Sequence, residues 1–340
     1  MRVAAAGAPD QVTFPALGGV GLGSEFYGGV DETTGVDTVL TAVGRGINFI
    51  DTAPLYQHSE RRVGLALSQL EPAVKDSLII ASKVADECAP FSDNGGHDAL
   101  SAAGVRCSIE NSLRAIGIEH LHVCLIHDLT PAELEDFLAE GGGMDGLRQA
   151  KAEGLIGHIG LGTHDKPHAP LHRRFLEDPD AEVLLTVNDY NILRRYAGDD
   201  TGAFAAAQAK NAGVMNAGVF YMGLLSGIDP RESYSMGFKG DLTEEMARTI
   251  DIASRQWAWC NERGLNLGAL ALQWAMKNEA VSTCIVGCRT PEEVNGVCDN
   301  AAAVVSDEIW TEFAAEFDEE IGLLTEADHW WYVRGETVLS

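Results

Sequence analysis

Eight short apolar runs, rich in Val and Ile and separated by longer amphipathic stretches, constrain this chain more than any other feature. They are ALGGVGLG (16–23), INFIDTA (47–53), LIIASKV (78–84), LHVCLIHD (121–128), IGHIGLGTH (156–164), VLLTVND (183–189), GVMNAGVFY (213–221) and STCIVGC (282–288). Runs of this length, nearly continuous and bounded by turn residues, read as strands buried on both faces. Between them DTVLTAVGRG (37–46), SERRVGLALSQL (59–70), AAGVRCSIENSLRAIG (102–117) and NLGALALQWAMKN (266–278) carry helical patterns, with Gly46 placed as a C-terminal stop. Eight strands, each followed by a helix or long connection, is the count of an α/β chain folded as a (β/α)8 TIM barrel. A doubly wound sheet is the competing arrangement. It calls for a phosphate loop after the first strand, and GGVGLGSE (18–25) has the glycines without the GxGxxG spacing. No linker or low-complexity segment interrupts the chain, so 1–340 reads as a single domain, with the acidic stretch 305–340 a helix and tail over the barrel.

The charge narrows the partners. A formal net charge of −27 and a pI near 4.6 would repel nucleic acid and anionic membranes alike, and solubility is the plain reading of it. The seven cysteines show no CxxC pair and no zinc-like spacing, which suits free thiols in a reducing cytoplasm. The opening MRVAAAGAPDQVTF is too interrupted for a signal peptide, and no apolar run approaches membrane-spanning length. The expectation is a soluble cytoplasmic protein acting on a small molecule; its oligomeric state is not legible.

Barrels of this kind work at the C-terminal ends of their strands. Asp51 ends the second run, Lys83 the third and His127 the fourth, and Tyr56 lies in the loop after the second. Tyrosine is a poor proton acceptor near neutral pH, with an ordinary pKa of about 10. An adjacent buried ammonium would favour its phenolate, a carboxylate would hold that ammonium, and a histidine would orient a substrate oxygen. Together the residues suit interconversion of an alcohol and a carbonyl. Each also has a duller reading: Asp51 as a strand-end cap, Tyr56 as packing, Lys83 as a snorkelling side chain and His127 as a core histidine. Four on one rim favour the chemical reading.

On these residues, GINFIDTAPLYQHSERRVGLAL, IIASKV and LHVCLIHD resemble the aldo-keto reductases, and the likeness runs from the glycine-rich first strand to STCIVGCRTPEEV (282–294). The resemblance implies a (β/α)8 barrel using NAD or NADP, with Asp51, Tyr56, Lys83 and His127 as a catalytic tetrad and Tyr56 as the general acid or base. DTAPLY and GVMNAGVFYMGLLSG (213–227) look closest to the aldose 1-dehydrogenase branch, which includes L-galactose, L-fucose and pyridoxal 4-dehydrogenases. The implied reaction is oxidation of a sugar at C1 to a lactone, Tyr56 taking the hydroxyl proton while hydride passes to the nicotinamide. The resemblance also implies cofactor contacts at Gly23, Ser24 and Asp51, in the loop holding Phe220, Gly223 and Leu224, and at Gly287, Arg289, Thr290 and Glu293. The family's Ser-Asn pair after the fifth strand is Gly162 and Thr163 here, its glutamine falls at Val187, and its stacking tyrosine at Ala217. Thr163 and Asn188 stand as substitutes in holding the carboxamide.

Cofactor choice rests on GCRTPEEV (287–294). Arg289 and Thr290 begin a helix, whose N-terminus favours a phosphate. Glu293 stands where NADPH-selective relatives carry a second basic residue, and Val297 where they often carry an adenine-holding asparagine. The balance falls towards NAD, with Arg289 otherwise bridging Glu292 or Glu293. Three other readings compete: an NADPH-dependent carbonyl reductase with the same tetrad, a cofactor-sensing regulatory subunit, and a metal-dependent hydrolase built on His127, Asp128, His158, His164 and His168. The last lacks a facial ligand set, so no metal is assigned. Substrate selection falls to rim loops: Glu25 to Tyr27, CAPFSDNGGHD (88–98), LRRYAGDD (193–200) and the aromatic tail at Trp330 and Trp331.

Overall fold

The structure, a computed structural model, describes residues 12–25, 28–85, 95–163, 168–199, 202–237 and 244–319. The strands are β1 (Ala16–Gly18), β2 (Phe49–Asp51), β3 (Ile79–Val84), β4 (Leu121–His127), β5 (Ile156–Gly162), β6 (Val183–Val187), β7 (Gly213–Ala217) and β8 (Thr283–Gly287). All pair in parallel with their sequence neighbours, and β8 returns to β1 to close a barrel, which rules out the doubly wound sheet. The helices are α1 (Val20–Gly23), α2 (Glu32–Gly44), α3 (Ser59–Leu67), α4 (Pro72–Lys75), α5 (Ala102–Ile116), α6 (Pro131–Leu138), α7 (Gly143–Ala152), α8 (His168–Leu176), α9 (Ala203–Lys210), α10 (Pro230–Gly237), α11 (Glu244–Glu262), α12 (Leu267–Met276), α13 (Pro291–Ala302) and α14 (Asp307–Phe317). Among the described residues no helix is long and apolar enough to cross a membrane.

Local sequence accounts for the boundaries. At the start of α2 the Asp31 side chain accepts from the Thr34 N–H at 2.7 Å. At its end Gly46, at φ +89°, lets the Gly46 and Ile47 N–H groups donate back to Val43 and Ala42. Thr130 and Glu133 form a capping box on α6, with Pro131 in the first turn. Three runs are markedly shorter as strands than the sequence suggests, the second keeping only Phe49–Asp51. The first ends at Gly18, and Val20–Gly23 coil into α1, because Gly19 donates to the Asp51 carbonyl at 2.7 Å and draws the chain across the end of β2. The seventh ends at Ala217, since Gly218 turns at φ +75° and Tyr221–Gly223 form a 3-10 turn. Of the 305–340 segment, α14 packs Phe313 and Phe317 against Trp259, and residues from 320 onward lie outside the described part.

The two-residue period of the strands decides what faces inward. Phe49, Ile79, Ala81, Val123, Leu125, Val183 and Leu185 fill the barrel, while Ile50, Ile80, Cys124 and Leu184 join the layer beneath the helices. Extending the inward positions by one step places Asp51 after Phe49, Lys83 after Ala81 and His127 after Leu125. The same alternation that packs the core thus delivers three polar groups to its C-terminal mouth.

The opposite end is held by charge. Just before β6, Glu182 receives the Ile159 N–H at 3.1 Å, pairs with Lys151, and lies 3.2 Å from His158 Nδ1. Burial alone would raise its carboxyl pKa, but the bonds from His158, Lys151 and Ile159 together pull it down from 4.5 to about 2. A depressed carboxylate stabilises the fold above its unfolded pKa and loses that contribution as pH falls through the folded one. Glu182→Gln is therefore expected to cost about 1–2 kcal/mol at pH 7, with the gap to the parent closing between about pH 5 and pH 2. Urea unfolding at pH 7 and at pH 3 measures this; an equal gap at both would contradict it.

Candidate active site

Lys83 is 1% exposed and Asp51 3%, so an ammonium and a carboxylate are buried side by side at the mouth of the barrel. Lys83 Nζ donates to Asp51 Oδ1 and Oδ2, each at 2.8 Å, and to the Thr52 carbonyl at 2.9 Å. That arrangement answers the desolvation of both charges, which an isolated buried charge could not survive. The same Nζ stands 4.6 Å from the centre of the Tyr56 ring. His127 meets Tyr56 edge-on, with ring centroids 5.8 Å apart and planes at 83°. The four residues singled out in the sequence thus come together at one end of the barrel, with Lys83 buried rather than at the surface.

Tyr56 owes its place to close backbone packing. It ends a 3-10 turn, Pro54–Tyr56, whose Tyr56 N–H donates to the Ala53 carbonyl at 3.1 Å. α1 lies against this turn, and a Cβ on Gly23 would fall 2.2 Å from the Tyr56 carbonyl oxygen. The Glu25 N–H also donates to Gln57 Oε1 at 2.8 Å, fastening the same turn from above. Gly23 therefore has a packing reason to be glycine whatever it does for a cofactor.

Several strand exits pass through the left-handed region at residues that are not glycine: Ala85 at φ +73°, Asp128 at +49° and Asn188 at +58°. Such strain collects at functional sites, where surrounding structure holds it. Asn188, just past β6, is buried, and neither its side-chain oxygen nor its nitrogen has a hydrogen-bond partner. Gly218 makes room for it: a Cβ there would sit 2.2 Å from Asn188 Oδ1. Thr163 is buried at the end of β5, and Ser24 is buried just after α1. In the loop after β7, Phe220 is half-buried and Gly223 turns at φ +94°, but the Leu224 side chain packs into the core beneath α11 and α12, leaving only its backbone for a ligand.

At the end of β8, Gly287 is exposed and Thr290 caps α13, its hydroxyl accepting from the Glu293 N–H at 3.3 Å. The Arg289 guanidinium is engaged by Glu293, with Nη2 2.7 Å and Nε 3.1 Å from Oε1, and the Arg289 N–H donates to Oε2 at 2.7 Å. Of the two bridges the sequence allowed, Glu293 is the one formed. Val297 is buried in the core. Tyr27, Trp330 and Trp331, the candidate substrate residues besides His127, lie outside the described residues. So does His164; His158 sits at the far end of β5 from His127, and among the described residues no group of three His, Cys, Asp or Glu is arranged to hold a metal.

Sequence reading missed the Thr52 carbonyl that takes the third bond from Lys83, which no side-chain pattern announces. It also missed Glu60, buried behind β3 and accepting from the Ser82 hydroxyl at 2.6 Å. The helical period of α3 would have marked Glu60 as inward-facing.

Comparison with known proteins agrees with the barrel. Pyridoxal 4-dehydrogenase of Microbacterium luteolum is 27% identical, over 87% of this chain and 93% of its own length. D-threo-aldose 1-dehydrogenase of a Pseudomonas species is 26% identical over 91% and 96%, and L-galactose dehydrogenase of Arabidopsis thaliana 28% over 86% and 85%. Among solved structures, a glycerol dehydrogenase from Gluconobacter oxydans superposes with a TM-score of 0.72 at 23% identity, covering 94% of this chain and 95% of that one. The aldo/keto reductase family matches residues 16–316, and the chain belongs to that family of nicotinamide-dependent (β/α)8 oxidoreductases.

Proposed function

We propose that the protein oxidises an aldose at C1 to its lactone, with Tyr56 as general base and NAD as the preferred cofactor. The observation that carries this reading is the buried Asp51–Lys83 pair with its ammonium 4.6 Å from the Tyr56 ring centre and His127 at the ring's edge. His127 holds the C1 oxygen by hydrogen bonding. Tyr56 removes the hydroxyl proton, and the Lys83 ammonium stabilises the phenolate form that can accept it. Asp51 keeps that ammonium in place and compensates its burial. The cofactor, when bound, accepts the hydride that leaves C1. The sugar reading draws support from the relatives named as aldose 1-dehydrogenase and L-galactose dehydrogenase. Free thiols at all described cysteines fit a cytoplasmic setting.

The fit of a nicotinamide nucleotide rests on Asn188. A buried amide with both polar atoms unpartnered is complementary to another primary amide, which offers one donor group and one acceptor. Asn188 and Thr163 would hold the carboxamide. The backbone from Phe220 to Leu224 would hold the pyrophosphate, and Gly287 to Glu293 the adenosine end, with Gly23 and Ser24 alongside. Because Glu293 occupies Arg289, a 2′-phosphate would meet a carboxylate beside its counter-ion. That favours NAD. Glu293→Gln is expected to raise the NADP-to-NAD ratio of kcat/KM about tenfold, a change of about 1.4 kcal/mol. An unchanged ratio would remove Glu293 from cofactor choice.

The direct test is formation of reduced nicotinamide by the purified protein, given NAD or NADP and a panel of free aldoses, pyridoxal and simple alcohols. Turnover with an aldose and NAD supports the reading. Turnover only as an NADPH-driven reduction of carbonyls would replace it.

A further inference from the structure

Between the end of β2 and the start of α3 the chain makes a short excursion, Thr52 to Ser59, with the Tyr56 turn at its middle. Side chains join its two ends: the Thr52 hydroxyl donates to Ser59 Oγ at 2.8 Å. Both residues are fully buried. Gly19 lies so close to this bond that a Cβ there would stand 2.6 Å from Ser59 Oγ, 2.7 Å from the Asp51 carbonyl oxygen and 3.4 Å from Thr52 Cβ. The two hydroxyls are thus shut away from water, where each depends on the other for its hydrogen bond.

The same threonine also helps to place the ammonium. Lys83 Nζ donates to both oxygens of the Asp51 carboxylate and to the Thr52 carbonyl, so one dipeptide at the end of β2 supplies all three acceptors. The Thr52 carbonyl belongs to the first peptide group of the excursion, on the covalent path to Tyr56. Its orientation is fixed on one side by the Thr52 N–H, which donates to the Ala81 carbonyl at 2.9 Å, and on the other by the bond to Ser59. Across this small closed loop the Tyr56 ring centre is held 4.6 Å from Nζ.

We propose that the Thr52–Ser59 hydroxyl pair is a positioning clasp. It closes the loop that presents Tyr56 and steadies the carbonyl that holds Lys83, so that phenol and ammonium keep the separation that favours the phenolate. Thr52 and Ser59 are positioning residues, acting through Tyr56 and Lys83. The inference rests on Tyr56 serving as the base. With the clasp open, phenolate and ammonium drift apart and the phenol holds its proton more tightly. For unit charges about 4–5 Å apart at an effective dielectric of about 20, one further ångström raises the phenol's midpoint by about half a pH unit.

The test is the pH profile of kcat for Thr52→Val, Ser59→Ala, the double variant and Thr52→Ser, on the aldose the parent oxidises. Oxidation needs the phenolate, so the rate climbs as pH rises through the Tyr56 midpoint. In each single variant that midpoint is expected to rise by about half a pH unit, with kcat about threefold lower below it and equal to the parent's above it. The double variant should show the rise of either single and not their sum, because the same bond is lost in each. Thr52→Ser keeps the hydroxyl and should restore the midpoint to within about 0.2 pH unit. A midpoint unmoved in both single variants, or a loss of rate equal at every pH, would leave the bond a merely structural one and overturn the clasp. The phenol can also be titrated without turnover, as the ultraviolet absorbance of each protein less that of its Tyr56→Phe counterpart, and should move by the same amount. That second readout keeps the two proposals apart: a parent that oxidises no aldose overturns the dehydrogenase reading, whereas a phenol that does not move overturns the clasp.

Discussion

Replacing Tyr56 by phenylalanine is expected to lower kcat for aldose oxidation by about 10²–10⁴-fold, the range over which a positioned acid or base acts, while NAD binding stays within about twofold. The substitution removes one hydroxyl from a half-buried ring and leaves the contacts that place the ring untouched: the turn from Pro54, the ammonium at 4.6 Å and the His127 edge. A fall in kcat with no change in unfolding midpoint therefore isolates the proton transfer. Retention of more than about a tenth of the parent rate would move the base elsewhere, and His127 would be the first alternative.

The second large effect concerns Lys83. Lys83→Met keeps most of the side-chain volume but leaves the Asp51 carboxylate buried and unpaired. Removing one partner of a buried pair costs about 3–5 kcal/mol, and for a domain of this size the thermal midpoint should fall by roughly 5–10 °C. Activity should be lost as well, because nothing then favours the Tyr56 phenolate. Asp51→Asn combined with Lys83→Met removes both charges, and much of the stability should return without the activity. That split separates the two roles of the pair: stability answers to charge balance, catalysis to the ammonium itself. If the double variant is no more stable than Lys83→Met alone, the pairing has been overvalued.

Why these residues were legible in the sequence follows from the strand period. A buried parallel strand shows as an apolar run, and a charge closing that run must emerge at one of its ends. Asp51, Lys83 and His127 each continue an inward-facing series, after Phe49, Ala81 and Leu125. Tyr56 lies in a loop and has no periodic marker; its place just after the second run, beside the rim where the strands end, is what singled it out. Elsewhere the pattern misleads. Glycine has no side chain to place in or out, so ALGGVGLG looked like one strand, although it is three residues of strand followed by a turn of helix. α9, with the sequence AFAAAQAK, has too little polar contrast to show a helical face. Arg194 is fully buried, with its guanidinium 4.9 Å from the centre of the Tyr221 ring, whereas an arginine in a polar loop reads as a surface residue.

The position of Asp128 illustrates the same limit. Its identity was plain, and it was weighed only as a metal ligand beside His127. What the sequence lacked was the backbone turn at φ +49°, which carries the carboxylate round to the imidazole. Asn188 is similar: its unpartnered amide becomes visible only once Gly218 is seen to give it space. Side chains just beyond a strand end are governed by single backbone angles, and those are set by neighbours distant in sequence.

The central claim is hydride removal from C1 of a sugar at the Tyr56 rim. The measurement that tests it most directly uses an aldose deuterated at C1, offered with NAD, and determines the isotope content of both products. The account predicts reduced nicotinamide carrying the deuteron, a lactone without it, and a rate slowed by the substitution. Unlabelled reduced nicotinamide, or none despite bound NAD or NADP, would contradict it.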